Sequence, residues 1–313
     1  NDLIPHDPIT TDMLLAYLNR EEGYVAKRAF PLVPVSTVSG KYPAYDAGDW
    51  MRDEMKLRAP GTVFERADWA NTWETFTTEQ FALEKPIPDE IRAMQPAPIN
   101  LERDTVEWLG QKLLIKWERQ FASDYMVYSN WANSDNNTGT GFGIDWDDYA
   151  NSDPIGSVRY ARRTIVQAGG GAADTIIMGL IVHDALVNHP DILDRIKYTQ
   201  RAMESDVMTA IPAVLGLRKY LVSEVVYDTA QKGATASLSA IIDDDALICY
   251  APDSPTLLTQ CAGKTFTWQP GGGGGVIERW RDDRVKSDVL RIFAQFDMKL
   301  VSTVSGYFYA DIV

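Results

Sequence analysis

Residues Asn100–Met126 read NLERDTVEWLGQKLLIKWERQFASDYM, and this stretch decides how the rest of the chain is read. Val106, Leu109, Leu113, Trp117 and Phe121 recur at helical spacing on one stripe, while Glu102, Arg103, Glu107, Lys112, Lys116 and Glu118 lie mostly off it. Asn100 is a favourable N-cap, the preceding PAPI keeps the chain out of a helix, and Glu102 and Asp104 suit the positive end of the helix dipole. The pattern predicts a single helix over 100–126, roughly 40 Å long at about 1.5 Å per residue. Its apolar stripe needs a long partner surface, so the helix reads as the spine of a larger α+β body.

Working outward, residues 1–40 carry one short amphipathic candidate, Thr11–Tyr17, followed by the run AFPLVPVSTVSG, in which Pro31 and Pro34 forbid a helix and a central strand. This predicts an extended apolar arm that the same subunit or a neighbour must cover. Residues 41–92 read as an elongated two-stranded projection, with KYPAYD on one side and WETFTTEQFALEK on the other. Between them lies a charged tip carrying Arg52, Lys56, Arg58 and Arg66 with Asp53, Glu54, Glu65 and Asp68, and a turn at Ala59-Pro60-Gly61. Such a tip is either a solvated loop or a contact that pairs its charges with another subunit.

Beyond the spine, NWANSDNNTGTGFGIDWDDYANSD reads as a loop, and its GTGFG lacks the flanking strand and helix of a dinucleotide site. Residues 155–260 then mix helix and strand: SVRYARRTIVQAG as helix, DTIIMGLI as buried strand, VHDALVNHPDILDRIKY as one or two helical turns broken at Pro190, and LRKYLVSEVVYD and ALICYAP as strands. TFTWQ and VIERWRDD read as strands around a flexible five-glycine run at 271–275, and the C-terminal DVLRIFAQFDMKLVSTVSGYFYADIV should return to the sheet.

Composition narrows the function. The 313 residues are 45% hydrophobic, enough for one large or two smaller cores. The formal charge of -14 disfavours tight binding to nucleic acid or anionic lipid. No run approaches about eighteen apolar residues, and the opening NDLIPHDPITTD has no signal-like region, which predicts a soluble product made in the cytoplasm. Cys249 and Cys261 fit no zinc pattern and read as buried free thiols.

Chemistry is sparse. There is no G-x-S-x-G, P-loop, H-E-x-x-H or EF-hand. His183 and His189 flank a helix and its proline break and read as packed histidines before ligands; Asp243-Asp244-Asp245 reads as a solvated turn before a cation site. A pair of acids for glycoside hydrolysis has no nominee. The residues therefore predict no enzyme, no cofactor and no metal site, leaving a soluble carbohydrate-active α/β enzyme as the rival class.

The order of parts is more telling than any motif. FPLVPVSTVSGKYPAYD in the arm, RAPG in the tip, FALEKPIPDEIR before the spine, DTIIMGLIVHDALVNHPDILDRIKY, LGLRKYLVSEVVYDTA and ALICYAP follow one another along nearly the whole chain. In that order they resemble the major capsid proteins of tailed bacteriophages with the Hong Kong 97-type fold. The resemblance implies an N-terminal arm at 1–40, an E-loop hairpin at 41–85 and a peripheral domain at 86–154 with the spine helix at 100–126. It further implies an axial domain at 155–270 and return strands at 271–313 shared between the two. It implies hexamers and pentamers tiling an icosahedral shell around double-stranded DNA, inside a virion assembled in the host cytoplasm. Portal, scaffolding and decoration proteins would be its partners, and no membrane is involved. The E-loop tip (Arg52, Asp53, Glu54, Lys56, Arg58, Glu65 and Arg66) would be the inter-subunit contact. Some relatives lock neighbours through an E-loop lysine and a distant asparagine; Lys56 is the available donor, but no acceptor or supporting acid matches, so no crosslink is carried over. The alternative within the same fold is an encapsulin-type shell enclosing cargo enzymes.

Overall fold

Two five-stranded sheets and the helix between them organise the chain in the computed structural model, which describes residues 23–30, 32–44, 51–68, 72–94, 100–136, 144–199, 204–253 and 256–313. The expected amphipathic candidate Thr11–Tyr17 lies outside the described residues. Strands are numbered in chain order. The first sheet contains β1 (Leu32–Val35), β4 (Glu79–Pro88), β11 (Gly263–Trp268), β12 (Val276–Asp282) and β13 (Ser287–Leu300); the second contains β5 (Asn133–Asn136), β6 (Thr175–Gly179), β7 (Lys219–Ser223), β10 (Ala246–Cys249) and β14 (Gly306–Ala310). Two hairpins stand apart, β2 (Ser39–Ala44) with β3 (Thr72–Thr77), and β8 (Val226–Asp228) with β9 (Leu238–Ala240).

The spine helix runs over Leu101–Tyr125. The Asn100 carboxamide oxygen accepts from the amides of Glu102 (3.2 Å) and Arg103 (3.3 Å), which meets two of the four free N–H groups at a helix start. At the other end, Trp131 Nε1 donates to the Tyr125 carbonyl at 2.7 Å and Asn130 Nδ2 to the Asp124 carbonyl at 3.0 Å. Val106, Leu109, Leu113, Trp117 and Phe121 are all buried, and they pack with Ile87, Ile277, Leu290, Ile292, Phe296 and Met298 of the first sheet. Trp117 stacks on Phe296 with ring centroids 4.0 Å apart. Each such side chain withdrawn from water contributes about 1.5–3 kcal/mol, so the spine and sheet hold one another.

β13 is the axis of that sheet: β4, β11 and β12 all pair with it antiparallel, β4 along Glu79–Pro88 with Phe81 opposite Ala294 and Leu83 opposite Ile292. β1, which contains Pro34, sits at the edge, paired in parallel with β11 alone.

The second sheet has the order β5-β14-β10-β6-β7 and is covered on both faces. Ile177, Leu247, Cys249 and Phe308 join the core shared with the spine. Their neighbours Ile176, Met178, Ala246, Ile248, Tyr307 and Tyr309 face a second core, built with the helix Pro154–Gln167 and the helical layer that follows β6. Double coverage explains why IIM and ALIC are unbroken apolar runs rather than alternating ones.

Several expectations are corrected. WETFTTEQFALEK is two strands, not one: Thr78 divides β3, in the hairpin, from β4, in the first sheet. β5 and Trp146 belong with the second sheet and its core, and β11 belongs to the first sheet. In DTIIMGLI the strand stops at Gly179, where a Cβ would lie 1.7 Å from the Asp243 carbonyl oxygen, and Leu180 begins a helix. VHDALVNHPDILDRIKY forms parts of two full helices, Leu180–Asn188 and Pro190–Thr199, and a further helix, Glu204–Leu215, passes unread in the sequence because Pro212 sits inside it. The glycine run is no flexible loop: Gly271 and Gly272 are buried, a Cβ on Gly271 would lie 1.9 Å from Gln295 Oε1, and Gly272 has φ 94°. These glycines permit close approach, which composition alone cannot distinguish from mobility.

Candidate assembly surface

The β2–β3 hairpin rises from a small core of its own. Phe76 stacks on Phe266 at 4.5 Å, with Tyr42 at 5.4 Å from the same ring and Val33 beneath. Gly40 admits Phe76, since a Cβ there would lie 2.7 Å from its Cζ. The root is pinned by hydrogen bonds from Thr77 N to Asp297 Oδ2 (2.9 Å), from Thr78 N to the Val38 carbonyl (2.8 Å), and from Tyr42 Oη to Glu74 Oε2 (2.8 Å).

What the root holds out has no core. Over 51–68 every residue is exposed except Glu54, which is half-buried. Met55, Leu57, Val63 and Phe64 are exposed to 94%, 104%, 86% and 73%. One turn is closed, by Thr62 N donating to the Ala59 carbonyl at 3.2 Å, with Gly61 at φ 84° as that turn needs.

The residues expected to carry contacts are all on this tip, and part of their charge is met locally. Lys56 pairs with Glu65 at 2.7 Å and Arg52 with Glu54 at 3.4 Å. Arg58 lies 4.1 Å over the Phe64 ring and donates to the Thr62 carbonyl, Asp53 accepts from the Met55 amide, and Arg66 is exposed. Local pairs of this kind are each worth about 0–1 kcal/mol. The larger uncompensated quantity is apolar, and a reading centred on charge misses it. The signal was present in MxxxMxL and VF, interleaved with the charges.

The two histidines take structural roles. His183 Nδ1 lies 2.7 Å from Tyr220 Oη; His189 Nε2 lies 3.1 Å from Ser152 Oγ, and its Nδ1 accepts from the Asp191 amide. Burial holds both imidazoles below their ordinary pKa, so both are neutral hydrogen-bonding groups at neutral pH. Of the acidic triplet, Asp244 and Asp245 converge with Asp311, and their carboxylates lie within 4.8 Å. Burial first, and then the neighbouring carboxylates, push Asp245 up to about 6. Asp243 is not in that group, and among the described residues no other cluster has a ligand set for a metal. Cys249 and Cys261 are buried free thiols, each with its pKa raised by burial. Among the described residues, no helix is long and apolar enough to cross a membrane.

No family model matches the chain. Over 223 residues, covering 71% of this chain and 69% of the relative, it is 21% identical to the major capsid protein of Burkholderia phage BcepMu. The crystal structure of a phage-related protein from Bordetella bronchiseptica matches 99% of both chains with TM-score 0.75 at 20% identity. The capsid structure of cyanophage P-SCSP1u matches with TM-score 0.59 at 10% identity, over 90% of this chain and 85% of that one. The chain therefore has the Hong Kong 97-type fold of phage capsid subunits, an α+β fold.

Proposed function

We propose that this chain is the major capsid protein of a tailed phage, a structural and non-enzymatic subunit that forms hexamers and pentamers and closes as an icosahedral shell around double-stranded DNA. One observation carries the reading: residues 51–68 hold Met55, Leu57, Val63 and Phe64 exposed on a pinned hairpin, an apolar surface that costs solubility in a monomer and that a neighbouring subunit would bury. The capsid fold and the likeness to a phage major capsid protein support it.

In this reading the first sheet with the spine is the peripheral domain and the second sheet with its helices the axial domain. The β2–β3 hairpin is the E-loop, and the residues before it form the N-terminal arm. The tip contacts a neighbour, with its apolar residues supplying affinity and its charges fixing register. A charge of -14 lets the wall contain DNA without gripping it. Portal, scaffolding and decoration proteins are the partners that this role requires, and the virion is its destination.

Electron microscopy and sedimentation of the recombinant chain, with and without co-expressed scaffold, test the proposal. Closed shells or isolated hexamers and pentamers are the expected result. A monomer of 35.0 kDa under all conditions would overturn it. Ultraviolet absorbance of particles purified from infected cells separates a genome-filled capsid from a shell holding protein cargo.

A further inference from the structure

His189 stands between two helices that line the second core, ending Leu180–Asn188 and preceding Pro190–Thr199, and it is 1% exposed. Its carbonyl accepts from the amides of Ile192 (3.2 Å) and Leu193 (3.0 Å), which makes it the N-cap of the second helix. Its ring takes the part that a serine or aspartate side chain usually plays there: Nδ1 accepts from the Asp191 amide at 3.2 Å. Pro190, in the first helical position, has no N–H to satisfy.

These contacts fix the state of the ring. A backbone amide only donates, so Nδ1 is bare, and the single ring proton is on Nε2, donated to Ser152 Oγ at 3.1 Å. Ser152 Oγ donates in turn to the Asp148 carbonyl at 2.8 Å. This chain of hydrogen bonds is complete only while the imidazole is neutral. A second proton has to go on Nδ1, where it sets N–H against N–H, removes the cap of the helix and places a positive charge at the positive end of its dipole. His183 is the contrast. It is also buried, but the partner of its Nδ1 is the Tyr220 hydroxyl, which can turn from donor to acceptor when the ring is protonated.

Burial holds the His189 pKa below its ordinary 6.5, against the charges of Asp191 on the second helix and of Asp153, which favour the proton. Asp153 is itself engaged as the N-cap of Pro154–Gln167, accepting from the Gly156 amide. From the turn at 148–152 the Tyr149 ring meets the imidazole edge-on at 5.7 Å, and the Asp148 carboxylate accepts from Asn151 Nδ2 and the Ala150 amide. In the preceding helix the Leu186 carbonyl accepts from the His189 amide and the Asp184 carbonyl from Asn188 Nδ2. We propose that His189 is an acid-sensitive cap: a proton taken up at Nδ1 frees the start of Pro190–Thr199 and parts it from the turn at 148–152, opening the helical layer of the second sheet locally. Ile192 and Ile196, buried in the second core, are the side chains that this opening uncovers. The device belongs to the single subunit and does not rest on the reading of the chain as a capsid protein.

Hydrogen exchange of the full chain, read by mass spectrometry over 190–199 and corrected for the intrinsic pH dependence, tests the proposal. One proton taken up by the open form at the ordinary value of 6.5 raises the opening of this segment about tenfold between roughly pH 7.5 and 5.5. His189→Asn keeps a neutral capping oxygen and removes the titrating ring, so the rise is absent from this variant. Because the change could disturb the packing around a buried ring, 15N spectra of the histidine-labelled wild type give a second readout, with His6→Asn and His183→Asn each removing one of the other two signals. The expected ring has its neutral proton on Nε2 and protonates below 6.5. A neutral proton on Nδ1, protonation at 6.5 or above, no rise in the wild type, or an equal rise in His189→Asn overturns the proposal.

Discussion

The carboxylate of Glu118, wholly buried on the spine helix, accepts the Ser223 hydroxyl at 2.8 Å across 105 residues of sequence. It also accepts the amides of Val25 (3.1 Å) and Ala26 (3.0 Å), which open the short helix Ala26–Ala29. One side chain thus ties the start of the described chain, the spine and β7 of the second sheet.

Removing that acceptor leaves three buried donors without a partner, so Glu118→Ala should cost about 3–5 kcal/mol and expose the Val25 and Ala26 amides to exchange. Glu118→Gln keeps an acceptor and should cost much less. The pH dependence has a definite sign. Burial, ahead of the hydrogen bonds, raises the Glu118 pKa above its ordinary value. A raised folded pKa gives stability that is complete below the unfolded value and is lost as pH rises through the folded one. The melting temperature of the wild type relative to Glu118→Gln should therefore fall as pH rises from about 4 toward neutrality. A difference that does not vary with pH would show that Glu118 keeps an ordinary pKa.

Lys27 behaves in the opposite sense. Its Nζ lies 5.0 Å over the Trp117 ring and donates to the Gly274 carbonyl at 3.2 Å, and burial lowers its pKa to about 8. A lysine whose folded pKa is lowered loses its proton more readily in the native state, so stability rises with pH between about 8 and the unfolded value of 10.5. Lys27→Met keeps the aliphatic stem on Trp117 and removes the desolvated charge. The variant should melt at or above the wild-type temperature at pH 7, with the difference shrinking above pH 8. Chemical denaturation across that range measures it, and a wild type that stays more stable than the variant at pH 7 would contradict it.

The hairpin tip should be dispensable for folding and required for assembly. Arg52→Glu, Lys56→Glu and Arg58→Glu together break the Lys56–Glu65 pair and set like charges together at every copy of a repeated contact. The body, held by two cores that the tip does not touch, should retain its circular dichroism and melting temperature while shells fail to form. High salt should restore part of the assembly. Leu57→Asp with Phe64→Asp should give the same loss without rescue by salt, which separates the apolar from the ionic contribution. Normal shells from both variants at low salt would make the tip a solvated loop.

DNA binding gives a fourth test. With a charge of -14, intact shells should not shift duplex DNA below micromolar concentration at physiological ionic strength. Submicromolar retention in a gel shift would point to a basic patch that the net charge conceals.

The spine was legible because a helix buried along one side repeats its demand for apolar residues about every 3.6 positions, and Val106, Leu109, Leu113, Trp117 and Phe121 meet it with Asn100 as the cap. β6 and β10 were legible for a similar reason, since burial on both faces leaves no polar position to obscure the run. The order of these parts was enough to suggest the fold. Other features depend on partners far away in sequence. WETFTTEQFALEK carries no mark of the division at Thr78, because β3 and β4 differ only in what lies beside them, β2 for one and β13 for the other. A glycine run reads the same whether it moves or packs, and only Gln295 and Phe293 make Gly271 and Gly272 a tight turn. Glu118 sits among the charged residues expected off the stripe, yet the donors that draw it inward come from residues 25, 26 and 223. Periodicity records which side of an element is dry; what lies against that side is set by long-range packing, and for Glu118 that packing decides whether a carboxylate is solvated or holds three elements together.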